Sequence, residues 1–325
     1  MTSPQDGLIT ARLLDEKGGA SLLDWAGVVA QWDTPTVVWV HLDSTNERAK
    51  DWLYQSSGLD EATVDVLVSE ETRPHCHVVG DGILVNLRGV NPSPQADPED
   101  MISLRMWVEP NRIITLRRNK LSAVEDVARA LDDGEGPTNA ASTLLVLADH
   151  LVRDVGDFVN DLEDQIDEAE EQVLASQHQA LRGRISGIRR KAITVRRHLA
   201  PQREAFVSLQ AVQLDWLGHE HKSHYREIAG RVTRYVEDLD LIRDRALVVQ
   251  EDLVSRLAEH TNRTLYVLSL ITAIFLPLGL IAGILGINVG GMPGIESEWA
   301  FWVVCGVMVA VSVIEVVALR LMRWL

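Results

Sequence analysis

Between Arg263 and Glu296 the chain reads TLYVLSLITAIFLPLGLIAGILGINVGGMPGI, residues 264–295, without an Asp, Glu, Lys, Arg or His. A helix crosses a bilayer core with roughly 20 apolar residues, and the part from Tyr266 to Leu285 supplies them. A second apolar stretch, Ala300 to Leu319, follows after a short loop. Trp299 and Trp302 stand near one end of this pair and Trp324 near the other, the levels at which amphipathic rings settle in a membrane. Arg256 and Arg263 precede the first span and Arg320 and Arg323 follow the second, while the loop carries Glu296 and Glu298 and no basic residue. This bias predicts that both termini lie in the cytoplasm.

Upstream of the first span the pattern is helical. No proline occurs from Asn139 until Pro201, and none again until Pro277, while apolar positions recur at helical spacing. The residues from Gly218 to Lys222 read as a break, after which Ser223 to Leu285 reads as one helix on the order of 90 Å long. It would be both stalk and membrane span. The acidic run Asp154 to Glu171 and the basic run Arg182 to Arg197 fit solvated faces pairing between neighbouring helices.

The first part alternates strand and helix signals. Thr36 to Leu42 reads as a strand, followed by Asp43, Ser44 and Thr45 as caps for a helix to about Tyr54. Asp60 to Glu71 reads as a second helix. Gly82 to Val90 and Met101 to Val108 read as strands, separated by a loop from Asn91 to Asp100 whose three prolines forbid a ladder. Arg112 to Leu116 is a further strand, reached through a hairpin at Glu109, Pro110 and Asn111. The expected division is an α/β cytoplasmic domain over 1–137, a cytoplasmic helical hairpin over 138–222, a stalk helix over 223–263 and a two-helix transmembrane domain over 264–325, with its loop at 286–298.

Composition excludes several classes. A net charge of −16 argues against a nucleic-acid partner, whose affinity rests on Lys and Arg neutralising phosphates, and suits cation traffic. Cys76 and Cys305 lie in regions so unlike in polarity that no disulfide is expected. Met1 to Leu14 has no basic patch followed by an apolar core, so no secretory signal is expected there. No phosphate loop, nucleophile elbow or catalytic metal motif is present, so an enzyme is the least supported class.

Two helices cannot enclose an aqueous path, so conduction requires several copies around a pore. Asn262, Ser269, Leu276, Gly279 and Gly283 approximate one stripe of the first span, and Thr272 adds a hydroxyl. Ser269 and Thr272 fit lumen-facing groups and, equally, hydroxyls bonded back to their own helix. Gly279 and Gly283 fit a widened lumen or close helix packing. Asn288, after Gly286 and Ile287, fits either a helix-ending Asn or a ring of amide carbonyls around a hydrated cation. Glu315 is an intramembrane acid within reach of an interface by snorkelling. His219, His221 and His224 cluster before the stalk as a candidate zinc contact. His75, Cys76 and His77 form a second group, but in a strand the two imidazoles share a face that the thiol does not.

The run Thr272-Ala-Ile-Phe-Leu-Pro-Leu278, then Gly286-Ile-Asn288, a short loop, a second span and a terminal Trp324-Leu325 resembles the CorA-type metal ion transporter superfamily, whose signature is Gly-Met-Asn. The order of α/β domain, long helices and two spans matches over nearly the whole chain. The loop Asn288-Val-Gly-Gly-Met-Pro-Gly294 is similar to that of the zinc transporter (ZntB) branch. Ile287 replaces the signature methionine, and the loop lacks the acidic residue that commonly follows Met-Pro in magnesium members. The resemblance implies a funnel-shaped homopentamer in a bacterial inner membrane, its partners being copies of itself, lipids and divalent cations. It implies a selectivity filter at Gly286, Ile287 and Asn288, a lumen lined by Asn262, Leu268, Leu276, Gly279 and Gly283, a hydrophobic gate at Leu268 and Leu276, and a carboxylate ring at Glu251. Zinc is the expected cargo, with proton coupling as suggested for that branch, and no permanently bound cofactor is expected. A magnesium or cobalt channel of the same fold is the nearest alternative, and a non-conducting membrane-anchored sensor is the alternative from another class.

Overall fold

The computed structural model describes residues 6–70, 73–91, 100–174, 181–287 and 298–321. It divides into two compact units, Met1–Gln250 and Glu251–Leu325. In chain order the elements are β1 (Leu8–Leu14), β2 (Ala20–Leu23), α1 (Trp25–Gln31), β3 (Val38–Asp43), α2 (Glu47–Gln55), α3 (Glu61–Val68), β4 (His75–Val79), β5 (Gly82–Gly89), β6 (Ile102–Val108), β7 (Arg112–Arg117), α4 (Ser122–Asp133), α5 (Ala140–Leu174), α6 (Leu181–Ala211), α7 (His219–Leu285) and α8 (Ala300–Leu321).

The seven strands form one sheet in the order β2-β1-β3-β7-β6-β5-β4. Only the central pair, β3 and β7, is parallel, with Val40 opposite Ile114; the other neighbours are antiparallel. The hairpin expected at 109–111 joins β6 to β7, and the Glu109 amide donates to the Arg112 carbonyl at 2.8 Å. Because side chains alternate along a strand, register carries a row of apolar residues across one face: Ala11, Val40, Ile114, Trp107 and Leu84. Trp32, Trp52 and Leu53 pack on that row with Val64 and Leu67. Trp32 and Trp52 meet edge-on at 4.8 Å between centroids, and the Trp32 indole donates to the Ser57 carbonyl at 3.0 Å, so the buried ring keeps its polar partner.

Caps explain where the short helices begin. Asp24, Asn46 and Asp60 each accept a backbone amide from the first turn of α1, α2 and α3, which satisfies a donor that the helix itself leaves unpaired. The acidic and basic runs pair as read: Arg184 of α6 binds Glu168 of α5. Helix α7 contributes further cations to α5, with Arg245 on Asp167 and Glu170 and Arg231 on Asp149. The structure also alters one boundary. Lys222 donates to the Gly218 carbonyl at 3.4 Å, so the residues read as a break up to Lys222 already form the first turn of α7.

Candidate ion path

The second unit contains the end of α7 and all of α8, both long and apolar enough to cross a membrane. On α7 the half-covered positions are Leu270, Ile274, Pro277, Leu278 and Ile281, a spacing of three and four that marks a single helical face. On α8 they include Val304, Met308, Val311, Glu315 and Ala318, with Leu319 buried, again one face.

Asn262, Leu268, Ser269, Thr272, Leu276, Gly279 and Gly283 are all exposed in the single chain. At about 100° per residue they fall within an arc of about 120°, centred roughly opposite the half-covered face. Glu251 is exposed and falls on the same arc. One side of α7 is therefore covered, and the other presents small, polar and leucine side chains. Leu268 and Leu276 are 59% and 66% exposed.

Individual residues sharpen this. The Thr272 hydroxyl donates to the Leu268 carbonyl at 2.8 Å, so its proton is satisfied within the helix and its oxygen lone pairs remain outward. A methyl group built on Gly279 or Gly283 meets nothing within 4 Å; close packing within one chain does not explain these glycines. At the end of α7 the Gly286 amide donates to the Ala282 carbonyl at 2.9 Å, and Ile287 follows at 3.4 Å from the Ile284 carbonyl, the last bonds before the helix is left. Asn288, Glu296 and Trp324 lie outside the described residues. In α8 one carboxylate oxygen of Glu315 is buried without a hydrogen-bond partner among the described residues, an arrangement unlike a side chain that has snorkelled to water.

The histidine groups do not converge. Among the described residues no three His, Cys, Asp or Glu side chains are placed to hold a metal ion. His219 and His221 are about 200° apart around α7, and the Nδ1 of His224 donates to the Glu220 carbonyl at 3.0 Å, so the expected contact at His219, His221 and His224 is not built by one chain. In β4 the rings of His75 and His77 stand 5.1 Å apart on one face, and burial pushes the Cys76 thiol up to about 12, away from the thiolate that binds metal. A titratable group that sequence reasoning passed over is His41, fully buried in β3. Its Nδ1 lies 2.7 Å from the Thr115 hydroxyl, and burial, aided by Arg117, holds its pKa down at about 3. An imidazole inside an otherwise apolar strand, VWVHLD, was the available signal.

Residues 35–321 match the family described as CorA-like Mg2+ transporter protein. The chain belongs to the CorA-like transporter family. Its similarity to the divalent cation transporter CmaX of Pseudomonas aeruginosa is 37% identity over 98% of this chain and 97% of that protein. The zinc transport protein ZntB of Yersinia enterocolitica is 32% identical over 96% of this chain and 94% of its own length. The solved structure of full-length CmaX superposes with a TM-score of 0.87, at 36% identity and over 100% of both chains. The CorA magnesium transporter of Methanocaldococcus jannaschii shares the fold, with a TM-score of 0.78 at 17% identity over 97% of this chain and 98% of that one. This CorA-like protein is a divalent-cation transporter, built from an α/β sheet domain, long helices and two C-terminal apolar helices.

Proposed function

We propose that this CorA-like protein carries zinc across the bacterial inner membrane through the centre of a homopentamer, with both termini in the cytoplasm and the flux coupled to protons. The observation that carries the reading is the uncovered arc of α7, a ribbon of polar, small and leucine residues opposite the half-covered face of the same helix. Five such ribbons facing one axis make a lumen in which Leu268 and Leu276 close a gate by dewetting. Asn288 forms the outer filter with the backbone of Gly286 and Ile287, and Glu251 forms a carboxylate ring below the gate. Residues 1–137, 138–222, 223–263 and 264–325 then serve as sheet domain, hairpin, stalk and membrane domain. Zinc is favoured by the ZntB relatives, by Ile287 in place of methionine and by the Gly-Gly pair of the loop.

Reconstituted vesicles test this directly. Asn288→Ala is expected to abolish zinc flux while the oligomer stays assembled; unchanged flux would remove the filter from the scheme. Competition among zinc, magnesium and cobalt in the same assay decides the cargo, and magnesium outcompeting zinc would favour a magnesium channel.

A further inference from the structure

Strand β4 ends the sheet order and pairs with β5. Its first three residues, His75-Cys76-His77, set two imidazoles two positions apart, and side chains two apart on a strand share a face. The thiol between them turns the other way, toward the helices, where Tyr225 of α7, fully buried, lies within electrostatic range of the sulfur. His75 is half-buried and His77 exposed, so the two rings stand together at the margin of the sheet, within reach of solvent.

Two features of the pair fit a metal ion. The first is the tautomer of His75. Its Nδ1 donates to the Arg73 carbonyl at 2.7 Å; a carbonyl only accepts, so Nδ1 carries the proton and Nε2 of the neutral ring keeps its lone pair for a ligand. That carbonyl is itself held. It also accepts from the Asn86 side-chain amide at 3.0 Å, and Asn86 is the residue opposite His75 across the β4–β5 ladder. Metal-bound imidazoles almost always donate their other nitrogen to a carbonyl, carboxylate or water in this way, which fixes both tautomer and ring orientation. The second feature is spacing. The ring centroids are 5.1 Å apart. With Zn–N bonds of about 2.0 Å and about 1.1 Å from a ring nitrogen to its ring centre, two imidazoles at the tetrahedral angle on one zinc stand about 5 Å apart. Imidazole nitrogen suits zinc, copper and nickel, whereas magnesium takes oxygen ligands.

We propose that His75 and His77 form a two-imidazole chelate for a zinc-class divalent ion at the margin of the sheet domain. Two ligands from one strand make a site open to exchange, unlike the closed four-ligand shell of a structural zinc. Cys76 takes no part in it. The site stands apart from the ion path, and it would take zinc whichever cation crosses the membrane.

The test reads the two rings directly. The full-length protein in detergent is treated with diethyl pyrocarbonate, which acylates a free imidazole nitrogen, and the rate at each histidine is followed by peptide mass spectrometry. Micromolar zinc is expected to slow acylation of His75 and His77 together, along one saturation curve, while magnesium at the same concentration leaves both rates unchanged. His77 is exposed, so His77→Gln is expected to fold, verified by unchanged elution. It is expected to raise the zinc concentration that protects His75 at least about tenfold, the scale on which a metal site weakens when even an outer partner of a ligand is lost. Rates that zinc does not alter overturn the proposal, as does equal protection by magnesium. Protection of His75 that survives His77→Gln at the same zinc concentration also overturns it, since one imidazole then binds alone. Rings that fail to react without metal are closed to solvent and overturn it as well.

Discussion

Side chains in α7 and in the sheet carry separate consequences. The polar residues of the first span were legible because a lone hydroxyl or amide stands out in an apolar helix, and the residues that share a face follow from 3.6-residue periodicity. What the sequence could not supply was which side of α7 is half-covered in the fold. If Leu276 closes the proposed gate, Leu276→Ser is expected to raise resting zinc flux several-fold, because a hydroxyl there would hold water where leucine expels it; vesicle leak without a gradient-driven stimulus measures it. Gly279→Ala adds a methyl group that its own chain does not oppose and improves helix propensity by roughly 1 kcal/mol. Thermal stability is therefore expected to hold while flux falls, and a variant that loses both would point to packing between helices instead. His41 makes a different statement. With its folded pKa at about 3 and an unfolded value of about 6.5, the unfolded chain binds the extra proton first. Its contribution to stability is complete above about pH 6.5 and is lost as pH falls toward 3, by on the order of a few kcal/mol. His41→Gln is expected to flatten that acid-side decline, read from unfolding midpoints between pH 7 and pH 4.

Elements were legible in proportion to how strongly their patterns repeat. Strands β5, β6 and β7 lie within a residue or two of their sequence assignments because each is a run of buried apolar residues ended by turn residues. β1 and β2 were not read at all: β2 is four residues with no buried position, and β1 mixes threonine and arginine among its apolar residues. Pro277 is the irregularity within α7. It has no amide to give the carbonyl one turn back, and its ring crowds that carbonyl, so it bends a helix. Pro277→Ala is expected to leave the oligomer assembled and to cut zinc flux several-fold, because restoring the missing amide-to-carbonyl bond favours a straighter helix and changes how Gly279 and Gly283 stand relative to Leu268. Equal flux in the variant would show that the path does not depend on the proline.

Charge is distributed along the whole chain in a way that bears on transport. After Arg263 there are three acidic and two basic residues, net −1, which leaves −15 for the first 263 residues. A field of that sign raises the local concentration of divalent cations and their rate of encounter, yet it is screened beyond about 8 Å at physiological ionic strength. Screening should therefore act on capture and spare the steps inside the membrane. With zinc supplied on the side of the sheet domain, raising monovalent salt from about 0.05 M to about 0.5 M is expected to lower flux several-fold at subsaturating zinc and to leave the saturated rate unchanged. If Glu251 is the acid that receives cations from this field, Glu251→Gln reduces the salt sensitivity as well as the subsaturating flux. Were the variant to keep the full salt dependence, capture would belong to the acidic surface at large and the carboxylate ring would have no part in it.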